Sequence, residues 1–171
     1  MEASKLPEPW LRGTLADVAA VPRAVLHALE LAKEDLKRWC GPLSDGELNA
    51  QPGGIAPVAF HLRHIARSID RLLTYAEGNQ LSGAQITAMR SELEQGAKHD
   101  ELFSELETSL RKSTRRIRAL DVARLNDART VGKKELPTTL GGLLVHVADH
   151  TQRHVGQAVT TSKIVVAQRR S

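Results

Sequence analysis

Apolar residues recur along the chain at the spacing of a helix face. Val18, Val21, Val25, Leu29 and Leu36 form one such stripe over residues 17–39, and a stripe of this period is what a helix buries against a core. Pro22 belongs to the first turn of that helix or marks its true start, where the missing N–H has no partner to lose. Gly41 and Pro42 end it, residues 44–47 offer a short turn, and Pro52, Gly53 and Gly54 a loop. A second helix over residues 57–78 carries Val58, Leu62, Ile65, Ile69, Leu72, Leu73 and Ala76 on one side. Residues 82–95 pattern weakly, as a shorter connecting helix ahead of Gly96, and a third long helix over residues 100–120 uses Leu102, Leu106, Leu110 and Ile117. Residues 126–137 are rich in turn formers and read as a loop. Thr139 is a good cap for a last helix running to about residue 166 through Leu140, Leu143, Leu144, Val147, Thr151, Val155, Ala158 and Val159. No run of alternating β-branched residues competes with this pattern. The predicted fold class is all-α, a four-helix bundle, and the long connection between the second and third long helices permits a crossover.

The 171 residues suffice for a single domain, 1–171, with residues 1–13 as an N-terminal extension, and need no disulfide or structural metal. Aromatic residues make up 3%, so the core must be aliphatic. The net charge of +4 is interspersed apart from small clusters at residues 111–118, Lys133 with Lys134, and Arg169 with Arg170. No stacking aromatics or reading motif accompany these clusters, so nucleic acid is not the expected partner. Cys40 is the only cysteine; beside Trp39 at a helix end it reads as a packed thiol. Residues 1–9 lack the apolar run of a signal peptide, and no stretch approaches the ~20 apolar residues of a membrane span. The cytoplasm is the expected compartment, without membrane association.

Seven histidines are present, and five fall into two groups: His61 and His64 on the second helix, and His146, His150 and His154 on the fourth. Residues four apart share a helix face about 6 Å apart along the axis, close enough for two imidazoles to reach one ion. On the last helix His154 and His150 border the apolar stripe and His146 falls on the outer face. On the second helix both histidines flank the stripe, and the helical wheel mildly favours His61 over His64. Imidazoles converging from two packed helices suit zinc, nickel or iron in an open site. No glutamate follows His150, so the built-in general base of the metalloprotease pattern is absent.

The segments VAFHLRHIA over residues 58–66 and TLGGLLVHVADHTQRHVGQ over residues 139–157 resemble the two histidine motifs of the DinB-like superfamily, which includes YfiT-type metal-dependent hydrolases. The resemblance spans nearly the whole chain, from Glu8, Pro9 and Trp10 onward, and rests on the order and spacing of the motifs. It implies a four-helix bundle with a crossover, pairing as a homodimer, and one divalent ion held by His64, His150 and His154. His61 then becomes an alternative ligand or a support behind the ligands, and Gln157 a residue that could hydrogen-bond a ligating imidazole. The family's arginine after the last histidine is Val155 here, which removes any role for an arginine at that position.

Two readings of function follow. In the first the chain is a metal-dependent hydrolase or thiol transferase, the ion activating water or a low-molecular-weight thiol for attack on a small electrophilic substrate. In the second it is a non-catalytic, metal-binding or stress-associated homodimer. A helical interaction module without metal is the bland alternative.

Overall fold

The computed structural model describes residues 6–169. Residues 1–5 of the expected N-terminal extension, and Arg170 of the terminal basic pair, lie outside the described residues. Six helices and one small sheet follow in the order α1 (Ala20–Trp39), α2 (Asp45–Leu48), α3 (Val58–Ala76), α4 (Gly83–Arg90), α5 (His99–Ala119), β1 (Ala128–Val131), β2 (Leu136–Thr139) and α6 (Leu140–Gln168).

The helix ends have local causes. Pro22 is the third residue of α1, inside the turn whose N–H groups have no partner within the helix. At the other end Gly41 is obligatory, because a Cβ there would lie 2.4 Å from the Lys37 carbonyl oxygen. α2 and α4 each open with a capping box, Ser44 with Glu47 and Ser82 with Gln85, in which side chain and backbone satisfy one another reciprocally. Helix α3 closes on Gly78, whose φ of 85° lets the Asn79 N–H return to the Thr74 carbonyl at 3.0 Å. Thr139 caps α6 by accepting from the Gly142 N–H at 3.0 Å.

Two expectations are corrected. The helix predicted over residues 82–95 stops at Arg90, and residues 91–98 turn back toward the core. Ala97 is thereby buried, with Asn49 bonding the carbonyl and N–H of Ala97 and the N–H of Gly96. The all-α expectation also fails at residues 128–139, where β1 and β2 form an antiparallel hairpin pairing Ala128 with Thr139 and Val131 with Leu136. Its strands are four residues long, too short for alternation to show against a loop background. Gly132, at φ 73°, and Glu135, at φ 48°, make the reversal.

The four long helices pack around a main aliphatic core, with a smaller cluster of Tyr75, Ala76, Leu140 and Leu143 beside it. α1 packs on α6, α6 on α3, and α3 on α5, with a sparser α1–α5 seam closing the cycle. Leu36, Leu62, Ile65, Ile69, Leu73, Ile117, Leu144 and Val147 are fully buried at its centre. The α3–α6 contact, among the densest in the molecule, brings the two histidine-bearing helices side by side. No described helix is long and apolar enough to cross a membrane.

Leu36→Ala or Leu144→Ala, each emptying a fully buried site, is expected to lower the free energy of unfolding by about 2–5 kcal/mol in urea titrations monitored by circular dichroism.

Candidate metal centre

The first turns of α3 carry His61 and His64, and the middle of α6 carries His150 and His154. Packing of the two helices turns nitrogens of His64, His150 and His154 toward one point, all within 4.8 Å of one another. The Nε2 atoms of His64 and His150 approach to 2.8 Å, and the His64 and His154 ring centroids lie 4.2 Å apart. His61 stands behind this group: its Nδ1 contacts Nδ1 of His154 at 3.1 Å, and its ring is buried. Phe60 stacks on His64 with centroids 5.2 Å apart, walling one side. His146 is exposed and outside the group. The residue chosen from motif position, His64, thus lies in the cluster of three, and the one favoured by the helical wheel supports it from behind.

Burial decides the protonation of these rings. His61, His150 and His154 are each pushed down to about 4, first because burial disfavours the cation and then because neighbouring histidines repel a second charge. Arg153 adds to this repulsion at His150 and His154. At neutral pH these imidazoles are uncharged, the form in which a ring nitrogen can bind an ion.

The fourth element of the site comes from the turn after α4. Glu92, 5% exposed, accepts from Nδ1 of His64 at 2.7 Å through Oε2 and from Nη1 of Arg71 at 2.6 Å through Oε1. Burial by itself would raise this carboxyl, but the hydrogen bonds and charge of His64 and Arg71 outweigh it and hold Glu92 below the ordinary carboxylate range. An ionised carboxylate can only accept, so His64 carries a proton on Nδ1, and Nε2 is the nitrogen that faces the cluster. That is the arrangement by which a carboxylate fixes the tautomer and orientation of a ligating histidine.

A family model described as the DinB superfamily matches residues 28–158. The chain belongs to the DinB superfamily. A crystal structure described as that of the conserved protein of a locus from Enterococcus faecalis superposes with a TM-score of 0.72 at 19% identity, covering 88% of this chain and 99% of that one. No curated protein matches in sequence. The chain therefore has a DinB-like fold, mostly helical, with the small hairpin added.

Within this DinB-like frame Val155, where the motif has arginine, is buried in the core. Gln157 is exposed beside a cavity of about 500 Å³ that His61 and Arg153 also line. Among the described residues it makes no hydrogen bond to an imidazole. Cys40 is fully buried, and burial pushes its thiol up to about 12, so it is a packing residue at neutral pH. Sequence reasoning missed Glu92 and Arg71. Arg71 follows His64 by two turns and shares its face, so a buried cation there could have prompted a search for its acid. Nothing local marks Glu92 as that acid.

Two outcomes follow from this geometry. Glu92→Ala leaves Arg71 buried without its counter-ion and is expected to cost about 3–5 kcal/mol of stability in urea unfolding, with Glu92→Gln milder because the amide still accepts. The native histidines, near 4 against an ordinary 6.5, bind fewer protons than the unfolded chain between those values. Their contribution to stability is therefore complete above pH 6.5 and is lost as pH falls toward 4. The urea midpoint of the metal-free protein should drop across that window, and a flat profile would contradict the neutral cluster.

Proposed function

We propose that the chain is a metal-dependent enzyme of the DinB superfamily, holding one divalent ion through His64, His150 and His154 and acting on a small electrophilic substrate. The observation that carries this reading is the convergence of three imidazoles within 4.8 Å, two of them pushed down to about 4, the third fixed by Glu92. The donor set is nitrogen only, which suits zinc, nickel or iron(II). Such an ion supplies Lewis acidity toward a thiol or water.

The chain's own groups set the limits of the chemistry. Glu92 has both oxygens occupied, and His61 is down at about 4, so neither is a good proton acceptor near neutrality. A nucleophile that ionises readily is favoured over one that needs a strong base, which points to a thiol (pKa about 8.5) ahead of water. A cavity of about 500 Å³ lies on the far side of His61, with Arg153 and Gln157 on its wall, and reaches the cluster only through His61. The finer parts of the reading rest on family resemblance: a four-helix bundle with a crossover, pairing of two copies, and a low-molecular-weight thiol as co-reactant. The second reading, a DinB-like metal protein without turnover, has the same ligands and lacks thiol-dependent consumption of electrophiles.

The test is metal content of untagged protein. Replacing His64, His150 or His154 singly by Ala is expected to abolish stoichiometric metal, because two imidazoles hold a dication poorly in competition with water. His146→Ala should leave it unchanged, and His61→Ala should weaken it without abolishing it. An anomalous-scattering map with the ion bonded to His61 and not His64 would overturn the ligand set.

A further inference from the structure

A second cavity, of about 540 Å³, lies between α3, α4 and α5 and is lined by polar side chains. It is separate from the cavity beside His61, and it holds the back of Arg71, the residue that grips Glu92. Arg71 is 9% exposed. It uses one N–H on Glu92, and a guanidinium has five. Among the described residues the only fully inaccessible polar side-chain atom without a partner is Oγ1 of Thr151. The Arg71 nitrogens that do not bond Glu92 are therefore not sealed in the interior, and the side chain lines the cavity.

The other charges on the wall are mostly engaged. The Arg67 fork is closed on Glu105 at 2.6 and 3.2 Å, and Asp70 is held by Arg116 and Gln85. Glu101 and Lys112 are exposed on the same wall. Ser109, Ser113, Thr108 and Ser104 add hydroxyls, with Ser113 buried and Ser104 exposed. One nearly buried, part-used guanidinium among hydroxyls matches a singly charged carboxylate bearing a polar substituent, since planar oxygens suit the fork. With Glu105 paired to Arg67 and Asp70 to Arg116, the wall offers Arg71 and Lys112 against Glu101, a small positive excess that suits a singly charged anion better than a multiply charged phosphate.

We propose that this cavity binds a small hydroxy- or amino-monocarboxylate through Arg71, and that its occupancy is transmitted through Glu92 to His64. The two N–H···O contacts of Glu92, at 2.6 and 2.7 Å, are the path: a ligand carboxylate that draws the guanidinium toward itself lengthens the Arg71–Glu92 bond and tightens Glu92 on His64. The binding half of the proposal does not depend on a metal at the histidines.

The experiment uses metal-free, nitrogen-15-labelled protein titrated with L-lactate, reading the Arg71 Nε–H and His64 ring-nitrogen resonances. Both are expected to shift saturably at millimolar lactate along one isotherm. Arg71→Lys keeps the charge beside Glu92 but loses the fork, and should weaken the response by about tenfold or more. Ser104→Trp, an exposed substitution on the cavity wall, should block lactate while leaving the circular-dichroism spectrum and metal uptake intact. It keeps the test decisive should Arg71→Lys fail to fold. No saturable shift of Arg71, or a shift that survives Ser104→Trp, overturns the site. A shift of Arg71 without one at His64 overturns the transmission. An equal response to inorganic phosphate overturns the carboxylate assignment. Metal uptake at the histidines with no lactate response leaves the proposed enzyme reading standing and removes only this one.

Discussion

The carboxylate of Glu92 is the constraint on which the site turns. An ionised carboxyl in the interior carries a large desolvation cost, offset only if its oxygens are taken by good donors. Arg71 takes one and His64 the other, from points two turns apart on α3. Their placement on one helix explains why a single acid can serve both. The chain leaves the helical path after Arg90, and the turn that follows delivers Glu92 to the α3 face. Seen from Glu92, the three residues are one unit, and removing any member leaves a buried polar group unmatched.

The rest of the cluster follows from helix packing. α3 and α6 run against one another, so pairs spaced three or four residues apart on each helix meet across the contact. Phe60 and the neighbouring rings exclude water from part of this space, which lowers the proton affinity of the imidazoles. The aliphatic core lies beside the site, and the buried polar groups of His61 and Glu92 continue it, so the same two helices carry both stability and site chemistry.

Much of this was legible in the sequence, and the exceptions have physical causes. The helices were visible because burial of one face imposes a 3.6-residue period that no other demand overrides, as in Val58 to Leu73. The hairpin was invisible because four-residue strands with mostly exposed side chains, such as those around Arg129 and Thr138, have no buried face to impose alternation. His150 and His154 could be paired from their spacing together with their place at the edge of the apolar stripe. The choice between His61 and His64 could not be made that way, because a helical wheel measures distance from the core centre and the site lies at the core's edge. His61, deeper, became the support; His64, further out, has room for Glu92 on one side and the cluster on the other. Glu92 itself was beyond reach, since its role depends on where a turn places it, 21 residues from Arg71 in sequence.

Charge balance links the site to its proposed chemistry. Three neutral imidazoles do nothing to cancel the charge of a dication, and the nearby negative charge of Glu92 is already matched by Arg71. The protein shell around the proposed ion is thus close to neutral, in contrast to sites built from cysteine or carboxylate ligands, which cancel much of the charge themselves. An uncancelled dication in a partly desolvated place attracts an anion from outside, and the exogenous group that becomes an anion most easily near neutrality is a thiol. With Glu92 engaged on both oxygens and His61 held neutral, that attraction is the means by which the site favours a nucleophile. This is the physical reason to look for thiol dependence before hydrolysis.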